Sequence, residues 1–159
     1  MKRLDNLMMD YPLTLTHFFE RSRRLFAAKT LATRVPGRPL FRYTYGEFAE
    51  RTQRLAGALR ALGLKKGDRV GTFGWNTHRH LELYWAVPLS GLVLHTLNIR
   101  LAPRDLVYII NHAEDSVIFA DASTWPVLAG IRDELPTVRQ VVIMTDAPDA
   151  ALPAGLPEY

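Results

Sequence analysis

Between Gly67 and Asp121, short apolar runs alternate with longer stretches in which apolar residues return every three or four positions. The short runs, Arg69 to Phe73, Leu92 to Thr96 and Ser116 to Ala120, are rich in β-branched and apolar residues. Strand, helix, strand, helix, strand in that order predicts a parallel sheet with crossover helices. Asn76 or Thr77 caps the first helix, which runs through Leu81, Tyr84, Trp85 and Pro88. Because Leu83, Ala86 and Val87 make its opposite side apolar too, this helix is expected to be mostly buried, with cover from protein outside this chain as one option. The second helix opens at Pro103, a good first-turn residue, and carries the stripe Leu106, Ile109, Ile110 and Ala113. A further cycle follows, with Ser123 as the cap of a helix through Leu128, Ile131 and Leu135 that must stop before Pro136, and a fourth strand Gln140 to Met144.

Upstream the pattern changes. Tyr11-Pro12 favours an extended entry, and Thr14 is a cap for a short amphipathic helix with Phe18, Phe19, Leu25 and Phe26. Leu31 to Arg34 and Leu40 to Tyr43 flank Pro36-Gly37, which predicts a β-hairpin. Thr44-Tyr-Gly-Glu47 matches a capping box, and Tyr45, Phe48, Ala49, Thr52, Leu55, Ala56, Leu59 and Leu62 then share one helical face. Gly63 closes that helix in a left-handed conformation. On its other face Glu47 with Arg51 and Glu50 with Arg54 stand in the favourable acid-first order, worth about 0.2–0.5 kcal/mol each. The expected fold class is therefore α/β: a partial doubly wound, mostly parallel sheet with crossover helices, preceded by a helix, a β-hairpin and a long capped helix. Residues 1–66 form the helix, hairpin and capped-helix portion, 67–146 the strand-helix repeat, and 147–159 a proline-rich surface loop.

Composition narrows the function classes. At 159 residues the chain suits one domain with a real core. It has no cysteine, which excludes disulfides and thiolate metal sites and fits a reducing, cytoplasmic setting. The longest nearly uncharged run, Leu83 to Leu97, contains Pro88, Ser90, Gly91 and His95 and falls short of the roughly 20 residues that span a bilayer. It reads instead as a buried helix, a turn and a buried strand. The basic balance, 20 Lys+Arg against 16 Asp+Glu, does not point to nucleic acid, because the arginines are spread along several segments with carboxylates between them.

The search for a reaction centre is largely negative. No Gly-x-x-x-x-Gly-Lys-Ser/Thr loop occurs, Gly71-Thr-Phe-Gly74 lacks dinucleotide spacing, and no serine sits in a Gly-x-Ser-x-Gly elbow. His78 and His80 point about 200° apart on a helix, so they do not grip one ion. His78 and Glu82 share a face but lack a third ligand nearby. His95 and His112 read as structural, the latter suiting a helix C-terminus. What the architecture does offer is a place, since open parallel sheets bind ligands beyond the carboxyl ends of their strands. Those ends present Trp75 and Asn76, then Thr96 and Asn98, then Asp121. Asn76 and Asp121 more often cap the following helix than touch a ligand.

Several tracts together, Arg42-Tyr-Thr-Tyr-Gly-Glu-Phe48, Gly67-Asp-Arg-Val70, Trp75-Asn-Thr-His-Arg-His-Leu-Glu82, Leu94-His-Thr-Leu-Asn98 and Tyr108-Ile-Ile-Asn-His-Ala-Glu-Asp115, closely resemble the opening of fatty acid-CoA ligases, acyl-CoA synthetases of the adenylate-forming superfamily. The resemblance runs from Met8-Met-Asp10 to about Met144. It implies a reaction in which a fatty or other carboxylic acid and ATP give an acyl-adenylate and pyrophosphate, after which the acyl group passes to coenzyme A with magnesium assisting. The family's phosphate loop, ribose-binding aspartate and catalytic lysine have no counterpart here. The resemblance thus implies the first piece of a large N-terminal domain, with no catalytic or cofactor-binding residue of its own, no ATP, Mg or CoA bound by this chain, and no activity alone. Trp75, Asn76, Thr96 and Asn98 remain the substrate-contact candidates.

Two positions depart from the family pattern. Ala102 stands where Ser or Thr usually precedes the helix-opening proline, and Ile99 stands where many relatives have proline. Two other readings stay open at this point. One is a stand-alone binding or assembly module, and the other a small flavodoxin-like domain, which leaves the N-terminal helix and hairpin unexplained. A fragment is expected to expose sheet edges that promote self-association, an evolved module to cover them.

Overall fold

A computed structural model describes residues 11–35 and 38–145. The Pro36-Gly37 turn, the Met8-Met-Asp10 tract and the 147–159 loop lie outside the described residues.

The N-terminal portion comprises α1 (Leu15–Leu25), the antiparallel strands β1 (Thr30–Thr33) and β2 (Phe41–Thr44), and α2 (Tyr45–Ala61). α2 starts where the sequence places it. Thr44 Oγ1 accepts from Glu47 N at 3.2 Å while the Glu47 carboxylate accepts from Thr44 N at 2.7 Å, so the capping box is closed from both sides. Those bonds hold the Glu47 carboxyl below the usual carboxylate range. Gly63 follows α2 with φ 73°, where a side chain would be strained. α1 forms, but Thr14 makes no side-chain cap bond and only Phe19 is buried. Phe18 and Leu25 are each 63% exposed.

The strand-helix repeat consists of β3 (Arg69–Phe73), α3 (His78–Leu89), β4 (Val93–Thr96), α4 (Pro103–Ala113), β5 (Asp115–Asp121), α5 (Trp125–Gly130) and β6 (Gln140–Met144). The four strands are parallel in the order β4-β3-β5-β6. The chain steps from β3 outward to β4 and then returns across β3 to β5. The connection thus reverses direction between β3 and β5, the topological switch point of a doubly wound sheet.

Two apolar layers follow from this order. On one face Phe73, Ile118, Ala120 and Ile143 meet Leu106 and Ile110 of α4 and Leu128 of α5. On the other Val70, Val117, Phe119 and Val142 meet Leu55 and Leu59 of α2 and Leu83, Ala86 and Val87 of α3. The second apolar side of α3 is covered from within the chain: Leu81, Trp85 and Leu89 pack against Phe19 of α1, Tyr43 of β2 and Phe48 of α2.

Three sequence expectations are corrected. β4 is not a buried strand but a sheet edge, with Val93 49% exposed. His95 lies half-buried on it, bonded through Nδ1 to the buried carboxylate of Asp115 at 2.8 Å. The helix expected to run to Leu135 ends at Gly130 and continues as a 3-10 turn over Arg132–Glu134, because Pro126 and Gly130 leave only a short α segment between them. Arg51, expected to pair along its own helix with Glu47, reaches across to α3. Its Nε and Nη2 donate to the fully buried carboxylate of Glu82 at 2.7 and 3.2 Å.

Replacing Arg51 by Met removes the guanidinium paired with that buried carboxylate, with an expected cost of about 3 kcal/mol. Glu82→Gln costs less, because Arg51 is 34% exposed and can rehydrate. Urea denaturation of both variants checks the asymmetry. Ala102 occupies the N-cap of α4 with φ −66° and ψ 149° and makes no cap bond. Ala102→Ser is therefore expected to raise stability by about 1 kcal/mol, read as a higher urea midpoint.

Candidate functional site at the strand ends

The carboxyl ends of β3 and β5 face each other at the switch point, and the turn after β3 is held there at four atoms. The Asp121 carboxylate accepts the Trp75 amide at 2.5 Å. Ser123 Oγ accepts the Trp75 indole N–H at 3.2 Å. Thr124 Oγ1 donates to the carbonyl of Phe73 at 2.7 Å. His80, on the first turns of α3, reaches back to the carbonyl of Trp75 through Nδ1 at 3.1 Å.

This approach depends on Gly74. A Cβ there would stand 2.8 Å from Asp121 Oδ2 and 2.9 Å from Met144 Cε, closer than van der Waals contact allows. The carboxyl group of Asp121 is itself nearly buried, and that burial raises its pKa against the lowering effect of the Trp75 amide and of Arg79.

Two of the sequence readings are corrected here. Neither Asn76 nor Asp121 caps a helix. Thr77 caps α3, its side chain accepting from His80 N at 3.5 Å. Thr124 rather than Ser123 is the N-cap of α5, without a side-chain cap bond. The carboxylate and hydroxyl expected to cap are instead bound to Trp75. A capping preference is local, and the parallel pairing of β5 beside β3 brought a stronger partner, an amide across the crevice, within reach.

Of the four residues singled out from sequence, all line clefts at this end of the sheet. One cleft, about 300 Å³, lies toward β4 and is bounded by Trp75, Asn76, Thr96 and Asn98 together with His80 and Tyr84. A larger one, about 640 Å³, lies toward β6 and is bounded by Trp75 and Asn76 with Arg34, Arg38, Arg79 and Asp121. Asn76 also borders a third cleft beneath the hairpin. The Trp75 indole is 52% exposed. The arginines of the larger cleft were missed by sequence reasoning, because two belong to the hairpin and one to α3 and only tertiary packing gathers them.

The histidines behave as structural groups. His78 is enclosed by the rings of Phe41 (centroid distance 4.4 Å) and Tyr43 (5.9 Å). Burial, with the neighbouring Arg79, lowers its pKa to about 4. Burial likewise raises the Tyr43 phenol, with the nearby Glu82 adding to the effect. No group of three or more His, Cys, Asp or Glu side chains among the described residues is placed to hold a metal ion. Gly71 lies inside β3, paired to strands on both sides, and so belongs to the sheet rather than to a phosphate-cradling loop. Among the described residues no helix is long and apolar enough to cross a membrane.

Comparison with known proteins decides the family. The model for AMP-binding enzymes matches residues 19–158. The chain belongs to the AMP-binding enzyme family. It is 46% identical over 153 residues to a long-chain-fatty-acid–CoA ligase of Thermus thermophilus, covering 96% of this chain and 28% of that protein. A 3-methylmercaptopropionyl-CoA ligase of Ruegeria lacuscaerulensis is 41% identical over 145 residues, covering 91% of this chain and 27% of that protein. Among solved structures, a benzoate CoA ligase from Burkholderia xenovorans superposes with TM-score 0.74 at 25% identity, over 92% of this chain and 30% of the other. The chain thus spans little more than a quarter of the length of the first two of these AMP-binding enzymes. Neither the stand-alone module nor the flavodoxin-like domain is favoured by these matches.

His78 supplies a pH prediction. The unfolded chain takes up a proton on this imidazole near pH 6.5, whereas the folded chain does so only near 4. Acidification through that window therefore favours unfolding, and stability falls as pH falls. His78→Phe keeps a ring between Phe41 and Tyr43 and removes the titration. The slope of unfolding free energy against pH between 6.5 and 4 should lose about one proton relative to wild type. Urea unfolding across that range reads it directly.

Proposed function

We propose that this chain is the opening segment of an ATP-dependent fatty acid–CoA ligase. Such an enzyme joins a carboxylic acid to ATP, giving an acyl-adenylate and pyrophosphate, and then transfers the acyl group to the thiol of coenzyme A. The observation that carries the reading is the 46% identity to the Thermus long-chain-fatty-acid–CoA ligase over 96% of the chain. Trp75, Asn76, Thr96 and Asn98 are the residues through which this segment would meet a ligand. They stand at the carboxyl ends of β3 and β4, beside the switch point, where open parallel sheets hold their ligands.

On this reading the described residues are assigned no site of their own for ATP, magnesium or CoA. They offer no three-ligand metal cluster, Gly71 is engaged in the sheet, and the strand-end carboxylate of Asp121 is committed to the Trp75 amide. No chemical step is assigned to them. Adenylation stabilises charge developing on phosphate with placed donors and a metal, so the 159 residues by themselves are inactive on this reading. Their role is scaffold: they set the first strands and one wall of a cleft. Cytoplasmic localisation and self-association along the β4 edge belong to the same reading.

Two measurements test it. Purified chain is expected to give no acid-dependent ATP–pyrophosphate exchange with palmitate or octanoate, and exchange above the no-acid blank overturns the inactive assignment. A chimera in which this chain replaces the matching segment of the Thermus ligase is expected to fold and form acyl-CoA. A folded chimera that adenylates no acid overturns the ligase reading.

A further inference from the structure

We infer that His80 is a positioning residue, which sets the orientation of the Trp75–Asn76 turn from the side opposite Asp121. The inference rests on the reading that this turn meets a ligand. Its evidence is the hydrogen bonding of one imidazole.

His80 is buried at 6% exposure and has two ring contacts, Nδ1 to the carbonyl of Trp75 at 3.1 Å and Nε2 to Thr72 Oγ1 at 3.0 Å. A backbone carbonyl only accepts, so Nδ1 carries the proton. The neutral ring then offers Nε2 as an acceptor, and the hydroxyl of the fully buried Thr72 donates to it. Burial, which lowers the His80 pKa, agrees with a neutral ring. Thr72 sits inside β3, and its own carbonyl accepts Leu97 N at 2.8 Å. The imidazole therefore links a rigid strand to the peptide that leaves it. The ring of Tyr84 covers its face at a centroid distance of 5.0 Å.

Trp75 is consequently gripped on both sides: its N–H by Asp121 from β5, its C=O by His80 from α3 and by the Thr77 amide at 2.8 Å. With these bonds made, the indole is brought to Ser123 Oγ, and its exposed surface stands between the two strand-end clefts. Thr77 N belongs to the turn itself, so the imidazole is the contact that ties the Trp75 carbonyl back to β3, through Thr72.

Heteronuclear NMR of the 159-residue chain tests this without ligand. The three indole N–H signals are assigned with Trp75→Phe, and a long-range imidazole spectrum of wild type should show His80 as the Nδ1–H tautomer. His80→Phe should move the Trp75 indole signal to the position of a solvent-exposed indole and speed its exchange about tenfold, as loss of one hydrogen bond of about 1.4 kcal/mol implies. The Trp85 and Trp125 signals should stay in place. His80→Asn, whose amide nitrogen can replace Nδ1 as donor, should restore the Trp75 signal. Should His80→Phe fail to fold, Thr72→Val serves instead: it removes only the donor to Nε2, so the Nδ1–H tautomer should persist while the ring loses its tie to β3, with a smaller Trp75 shift. An unmoved Trp75 signal in a folded variant, joint movement of all three indoles, or an Nε2–H tautomer in wild type overturns the inference. Titration of the same sample with CoA and with palmitate separates the two readings. If the His80 effects stand and neither compound shifts Trp75, the ligand assignment of the turn fails and the positioning role survives.

Discussion

The hydrogen bond from the Trp75 amide to the Asp121 carboxylate is the constraint on which the strand-end architecture depends. It crosses the switch point just beyond Phe73 and Ala120, the last residues paired between β3 and β5. Its length requires residue 74 to have no side chain, since a Cβ would meet both the carboxylate and Met144. A charged acceptor in so enclosed a place gives a strong bond and carries a desolvation cost, visible as the raised pKa of Asp121. The remaining contacts of the turn, from Ser123, Thr124 and His80, converge on Phe73 and Trp75.

A second polar contact joins the N-terminal portion to this sheet. Arg51 of α2 and Glu82 of α3 meet near Tyr43 and His78. Apolar packing alone would let α2 and α3 slide along one another, because ridges of Leu and Ala fit several registers. A buried carboxylate paired with one guanidinium disfavours the others. That fixed register carries α3 and the Thr77 cap, and so the turn after β3. The two polar links thus act in series, one placing the helix and the other the strand end.

The consequence for function is a division of labour. Membership of the AMP-binding enzymes accounts for the α/β portion. Carboxylates and imidazoles that might be taken for catalytic groups, Asp115, Asp121, His78 and His80, are held in bonds or ring stacks that define the fold. The exposed polar residues around the clefts include Asn76, Asn98, Arg34 and Arg38.

Much of this was legible in the chain itself. Element order, the capping box at Thr44, the turn at Gly63 and the proline start of α4 follow from local rules, and each is where the sequence puts it, because neighbouring residues supply both partners. The strand-end location of the clefts was legible too, since a parallel sheet dictates it. What tertiary structure alone decided are the choices between partners. Asp121 and Ser123 abandon capping for Trp75, Arg51 leaves its own helix for Glu82, and β4 falls at an edge rather than within the sheet. The physical reason is common to all three. Periodicity and propensity report the energy of a segment with its neighbours in sequence, whereas the strand or polar partner that lies beside a segment depends on how the elements are ordered in space.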